Sequence, residues 1–230
     1  MCIGLTEAGF VAGTGFVASV TRMTTSQRIE YDCFPLLFDY MIRIVLLLVL
    51  FLHSLGSAAE VSGDSPLRWT QGSIGWYYNL QNKPDWLEDA AALAFIQRAA
   101  AGWGACGIEL RYLGETDKLP GIMDGANVVG WARDGKRYSA WTSWRARRNG
   151  AALEADITLY ANVFDTYRQR GIDPRLELYK SLVHEFGHVL GLGHSATPSD
   201  AMSVGVRTRA EWVLPSENDL ERCRERYPGR

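Results

Sequence analysis

The sequence predicts a single α+β domain over roughly residues 65 to 228. Three observations carry that reading. Five short segments rich in aromatic and β-branched residues are separated by Gly, Pro and Asp breakers. One amphipathic helical stretch falls between the first and second of them, and two more helical stretches with their own N-terminal caps follow the last. With 230 residues, 47% of them hydrophobic, the chain can bury one substantial core. A formal net charge of -2 gives no global basic field, so no nucleic-acid partner is expected.

The first sixty residues stand apart. "MIRIVLLLVLFLHSLGSAAE" (41 to 60) has a short basic start at Met41 and Arg43, an apolar run from Ile44 to Leu52, and small residues at Ser57 and Ala59. That is the pattern of a secretory signal cleaved before Glu60. The apolar run is roughly half of the ~20 residues a membrane-spanning helix needs, so no span is expected after signal removal. No Cys follows the run to take a lipid anchor. Residues 1 to 40 show no clear period and end just before Met41, which reads as the simplest translation start. The expected product is a secreted or periplasmic monomer, residues 60 to 230.

Within it, "SIGWYYNL" alternates apolar and polar positions as a strand does, and "NKPD" breaks it. "WLEDAAALAFIQRAAAGW" follows as a helix whose core stripe is Leu87, Ala91, Phe95, Ala99 and Trp103, with Ile96 beside them. "GIELRYLG" (107 to 114), "ANVVGWAR" (126 to 133) and "ALEADITLYA" (152 to 161) read as strands, and "YSAWTSWRA" (138 to 146) as an edge strand. "GIDPRLELYKSLVHEFGHVLGL" opens a long helix with Asp173 as N-cap and Pro174 at its first position; Tyr179, Leu182, Val183, Phe186 and Leu190 share one face. The final helix starts at Ser216, with Asp219 in the third position as an approximate capping box, and runs to about Tyr227. Cys106 and Cys223 remain after signal removal; a disulfide and two buried thiols are equally good readings of them.

The chemistry concentrates in "HEFGHVLGLGH" (184 to 194). His184 and His188, four apart on a helix, place two imidazoles one turn apart on one face, the spacing of two ligands of a tetrahedral zinc. Glu185, one residue round, reaches a metal-bound water without competing for the metal. Gly191 ends the helix and reverses the chain, which lets His194 return as the third ligand. Three neutral nitrogens leave a fourth position open, as catalytic sites do. Five fixed identities, three of them His, coincide in an unrelated chain of this length well under about once in a thousand. His53 lies in the signal, so every histidine of the mature chain belongs to the motif.

This stretch, with Met202 in "SDAMS" eight residues beyond His194, resembles the long zinc signature of the metzincin metalloproteases. Ser195 directly after the third histidine makes the chain most similar to a matrixin. The resemblance implies a zincin-like catalytic domain with a twisted, mostly parallel sheet, an antiparallel edge strand, an active-site helix, a Met-turn and a C-terminal helix. It implies one catalytic Zn2+ held by His184, His188 and His194, Glu185 as general base, and Met202 as a hydrophobic floor. It also implies that the edge strand near Ala140, Trp141 and Trp144 pairs with an extended protein or peptide substrate.

Departures from the family pattern matter too. Too few residues precede the first strand for a cysteine-switch pro-domain, so an inhibitor protein is the candidate partner for restraint. No histidine remains for a second, structural zinc. Ca2+ is common in the family and Asp156, Asp124 or Asp134 are the candidates, but no ligand set is identified. The usual Pro after the Met-turn is missing from 203 to 213, and Trp212, Arg207 and Arg209 fall beside the expected specificity pocket. Asn218 replaces the first of two usual Asp, leaving Asp219 to support the Met-turn. A catalytically weak or inactive secreted binding protein on the same fold is the rival reading.

Overall fold

Strand alternation in the sequence becomes a five-stranded sheet built from β1 (Ser73–Tyr78), β2 (Glu109–Glu115), β3 (Val128–Ala132), β4 (Ala140–Ala146) and β5 (Ala152–Tyr160). The order is β2-β1-β3-β5-β4. All neighbours are parallel except β4, which runs antiparallel to β5 at the sheet edge with Trp141 opposite Thr158 and Trp144 opposite Ala155. The computed structural model describes residues 65, 67–135, 138–204 and 213–229, all within one compact unit, Ala58–Arg230. The signal segment, everything before it, and the stretch with Arg207, Arg209 and Trp212 lie outside the described residues.

One face of the sheet meets the helices. Ile74, Trp76 and Tyr78 of β1, Val129 and Trp131 of β3, and Ala155, Ile157 and Leu159 of β5 enter the core there. Helix α1 (Asp89–Ala101) packs on α3 (Pro174–Val189) through Ala92, Ile96, Ala99 and Ala100. Its buried face is thus rotated from the expected stripe, with Ala91 and Phe95 only half-buried, because small alanines admit the closer helix contact. Leu87 and Trp103 are buried just beyond the two helix ends. Helix α2 (Ala161–Gln169) has no counterpart among the elements expected from sequence; it continues directly from β5 and buries Ala161 and Phe164, the latter edge-on to Trp131 at 5.8 Å.

The cap readings hold in detail. Asp173 accepts from the amides of Arg175 (2.9 Å) and Leu176 (3.4 Å), and all five expected core positions of α3 are buried. At α4 (Glu217–Arg226) Ser216 and Asp219 form a complete capping box. The carbonyls at the C-terminal end of α3 are taken by indole and phenol donors: Trp69 Nε1 donates to Val189 O (2.7 Å) and the Tyr227 hydroxyl to Leu190 O (2.9 Å). Cys106 and Cys223 are joined in a disulfide with Cα atoms 5.4 Å apart, which fastens α4 to the short turn after α1.

The opposite face of β5 is polar yet buried. Glu154, Asp156 and Thr158 point there, under the β2–β3 connection. Asp156 Oδ2 accepts from Gly121 N (2.7 Å) and Oδ1 from Val128 N (2.8 Å); Glu154 Oε2 accepts from Gly125 N (2.9 Å) and from Arg145 (3.1 Å). Two carboxylates thus pin a loop whose Gly121 and Gly125 adopt positive φ. This uses Asp156 differently from the calcium expectation: each of its oxygens already holds an amide. Asp124 faces Lys118 Nζ at 3.1 Å, and among the described residues no group of three acidic or histidine side chains gathers around Asp156, Asp124 or Asp134.

Two measurements test these anchors. The disulfide closes a long loop, so Cys106→Ala/Cys223→Ala is expected to lose about 2–5 kcal/mol of unfolding free energy in urea titration. Burial pushes Asp156 up to about 6, while its two amide donors pull it down and Glu154 and Asp124 raise it further. A carboxyl raised in the folded state contributes its stability in full below its unfolded value and loses it as pH rises through about 6. The stability of wild type relative to Asp156→Asn should therefore increase, by up to about 3 kcal/mol, between pH 7 and pH 4; a difference that stays flat over that range contradicts the assignment.

Candidate metal centre and catalytic cleft

On α3, His184 and His188 lie one turn apart, their rings edge to face with centroids 4.7 Å apart. Each Nδ1 faces a carbonyl oxygen: His184 meets Ala201 O at 2.7 Å and His188 meets Leu192 O at 2.8 Å. A carbonyl only accepts, so both Nδ1 atoms carry a proton, which leaves Nε2 of each ring as the atom that can face a metal. Those two Nε2 atoms point at each other across 3.1 Å. Two imidazole nitrogens converging in this way are a donor set that fits a metal ion.

His194 completes the group. Gly191, at φ 83°, turns the chain back beneath α3, where a Cβ would lie 2.3 Å from Leu67 O. The His194 ring then sits 5.3 Å from His184 and 4.9 Å from His188, centroid to centroid. One ligand atom from each of the three histidines lies within 4.8 Å of the others, and no other such group occurs among the described residues. Burial drives His188 down to about 3, with His184 and His194 adding to the effect and the Leu192 carbonyl opposing it; burial lowers His194 as well. Both imidazoles are neutral at pH 7, as ligands must be.

Glu185 is buried beside this group, and Thr142 Oγ1 on β4 donates to its Oε2 at 2.6 Å. Burial raises the Glu185 carboxyl above its usual value, against the pull of His184 and the Thr142 hydroxyl. Below the helix, Met202 is fully buried, and a Cβ on Gly187 would lie 2.1 Å from its sulfur. Glycine is what allows the Met-turn to approach α3 so closely.

The Met-turn is itself tied down. Asp219 Oδ2 accepts from Ala201 N at 2.7 Å, so the residue whose carbonyl orients His184 is fixed by the cap of α4. Asp200 accepts from Ser216 Oγ (2.7 Å), Asn218 Nδ2 (2.6 Å) and Ser195 Oγ. Burial pushes Asp200 up, but these three donors and the Arg222 charge overcome it and hold the carboxyl below its usual value. Asn218 therefore serves the same turn from a neutral side chain.

A cleft of about 550 Å³ runs between α3 and β4 and is lined by all three histidines and Glu185. Ala140, Trp141 and Trp144 all border it, Ala140 with its side chain turned into the core and both tryptophans exposed. Thr142 was not singled out in the sequence; its signal was strand parity, which puts it on the same inward face as Ala140. Glu177, Lys180 and Ser181 also line the cleft, and their helical spacing from His184 was the cue to them.

The family model of the matrixins, peptidase family M10, matches residues 68–228. The chain belongs to the matrixin family. This matrixin therefore stands among zinc metalloproteases with its histidine triad in place. No curated protein matches it. Among solved structures it is similar to one titled "GM1 bound form of the ECX AB5 holotoxin", at 14% identity and a TM-score of 0.45, over 67% of this chain and 80% of that one.

If Asp219 positions His184 through Ala201, then Asp219→Ala should weaken zinc affinity about 10–100-fold in chelator competition, the usual effect of losing a group behind a ligand. Affinity equal to wild type in the folded variant would separate α4 from the metal centre.

Proposed function

We propose that this matrixin is a secreted endopeptidase that hydrolyses internal peptide bonds through a zinc-activated water. The observation that carries the reading is the pair of Nε2 atoms held face to face with His194 beside them and a buried carboxylate one residue along the helix. A zinc ion bound by His184, His188 and His194 supplies a water acidified toward a pKa of ~7 and a Lewis acid for the scissile carbonyl.

The chain's own residues do the rest. Glu185 takes the proton of the attacking water and passes it to the departing amine. Burial raises its proton affinity, which suits a base that must hold a proton between the two steps. The Thr142 hydroxyl holds Oε2 of Glu185 in place at the wall of the cleft. The edge strand β4 offers backbone donors and acceptors to an extended substrate, with Trp141 and Trp144 flanking it and Met202 supporting the centre from below. The signal-like segment at 41 to 59 and the disulfide support export to an oxidising compartment.

Glu185→Ala should keep zinc at wild-type stoichiometry and lose at least ~10²-fold in kcat/KM on a quenched-fluorescence peptide. A variant that cleaves as fast as wild type would remove Glu185 from the mechanism; a wild-type protein that binds zinc yet cleaves nothing would favour the binding-protein reading.

A further inference from the structure

Helix α4 touches the chain on both sides of the metal centre. Asp219 Oδ2 accepts from Ala201 N at 2.7 Å, and the Ala201 carbonyl meets His184 Nδ1 at 2.7 Å. Asn218 Nδ2 donates to Asp200 Oδ2 at 2.6 Å, just before the Met-turn residue Met202. Arg222 Nη2 donates to Gly193 O at 3.1 Å, one residue before His194. One stretch of α4 thus positions backbone next to two of the three histidines.

The helix has little apolar surface of its own to hold it there. Its sequence, ENDLERCRER, contains two apolar residues, Leu220 and Cys223; Leu220 is half-buried, and the residues α4 buries are Asp219 and Cys223. Tyr227 is buried just past the helix end and donates to Leu190 O. Apolar burial therefore fastens the C-terminal end, whereas the first turn, which carries Asp219, rests on polar contacts that water can replace. The remaining anchor is covalent. Cys223 lies one turn beyond Asp219 on the same buried face. Its disulfide ties that face to the turn Gly104–Cys106. Trp103, at the start of that turn, donates from Nε1 to Val183 O at 3.0 Å, the residue before His184. The bond therefore bolts α4 to a point fixed on the active-site helix itself.

We propose that closure of the Cys106–Cys223 disulfide completes the metal centre, so that the chain binds zinc tightly only after it has been oxidised. The step is thiol–disulfide exchange with a small disulfide: one cysteine thiolate attacks it and expels a thiol, the second cysteine displaces the other half, and two thiols leave carrying the two protons and two electrons. Cys106 and Cys223 are 1% and 0% exposed, so the closed bond is shielded from reductant. In a reducing compartment the chain keeps two thiols, the first turn of α4 loosens, and Ala201 is no longer held for His184. Zinc is withheld until an oxidant is met.

The test is chelator competition for Zn2+ on the mature protein as wild type, as Cys106→Ala/Cys223→Ala, as Asp219→Ala, and with all three substitutions together. The cysteine variant is expected to keep its far-ultraviolet circular dichroism and to bind zinc about 10–100-fold more weakly than wild type. Adding Asp219→Ala to it should cost no more than about twofold further, because the carboxylate is already out of place. Wild-type affinity in the cysteine variant overturns the proposal. Effects that simply add overturn it too, since they separate the disulfide from Asp219. So does a cysteine variant that has lost its fold, because oxidation would then build the whole domain and not one helix. Cleavage enters none of these outcomes: a protein that passes them and cleaves no peptide overturns the peptidase reading alone.

Discussion

Two carbonyl oxygens determine what the centre can do. Ala201 O and Leu192 O each take an Nδ1 proton, and those two contacts aim the Nε2 atoms of both histidines at one point. Most of the molecule can be read as what holds those two oxygens still. Leu192 is fixed because its amide donates to Gly187 O at 3.0 Å as the chain leaves α3, and Gly191 makes the turn that permits it. Ala201 is fixed from the other side by Asp219, whose carboxylate also accepts from Ser216 N at 2.9 Å as part of the α4 cap. A helix cap and a ligand orientation thus share one carboxylate, and the disulfide keeps that helix where the carboxylate is needed.

The sheet serves the same end at its edge. β4 delivers Thr142 to Glu185 and its outer residues to the cleft, so its position sets both the Glu185 carboxylate and one wall of the cleft. Its register is held by β5, and β5 in turn clamps the β2–β3 connection through Asp156 and Glu154. Backbone amides on carboxylates fix this loop, at the cost of burying two acidic groups on one strand.

Much of this was legible in the residues because local signals and the tertiary fold agree. The Asp173–Pro174 start of α3, the Ser216–Asp219 box and the 184/188/194 spacing each have a local physical cause, and each reappears in the fold. Helix α2 was not legible: Tyr160 gives no side-chain cap, only Ala161 and Phe164 are buried, and the strand runs into the helix with no breaker between them. The rotated face of α1 escaped for a related reason, since alanine occurs around most of that helix and periodicity alone does not rank its faces. Thr142 and the cysteine pairing depend on approaches between residues 43 and 117 positions apart, which no local pattern encodes.

The Cys106–Cys223 bond has one more consequence, and it concerns self-digestion. It closes a covalent ring that contains β2 to β5 and both α2 and α3, while β1 and α1 lie on the tail outside it. One cut anywhere within the ring opens it to a nicked molecule whose fragments travel together, with all three histidines still attached. A peptidase surrounded by its own kind is thereby buffered against autolysis: a first nick changes its mass on a reducing gel but separates nothing until a second cut or a reductant follows.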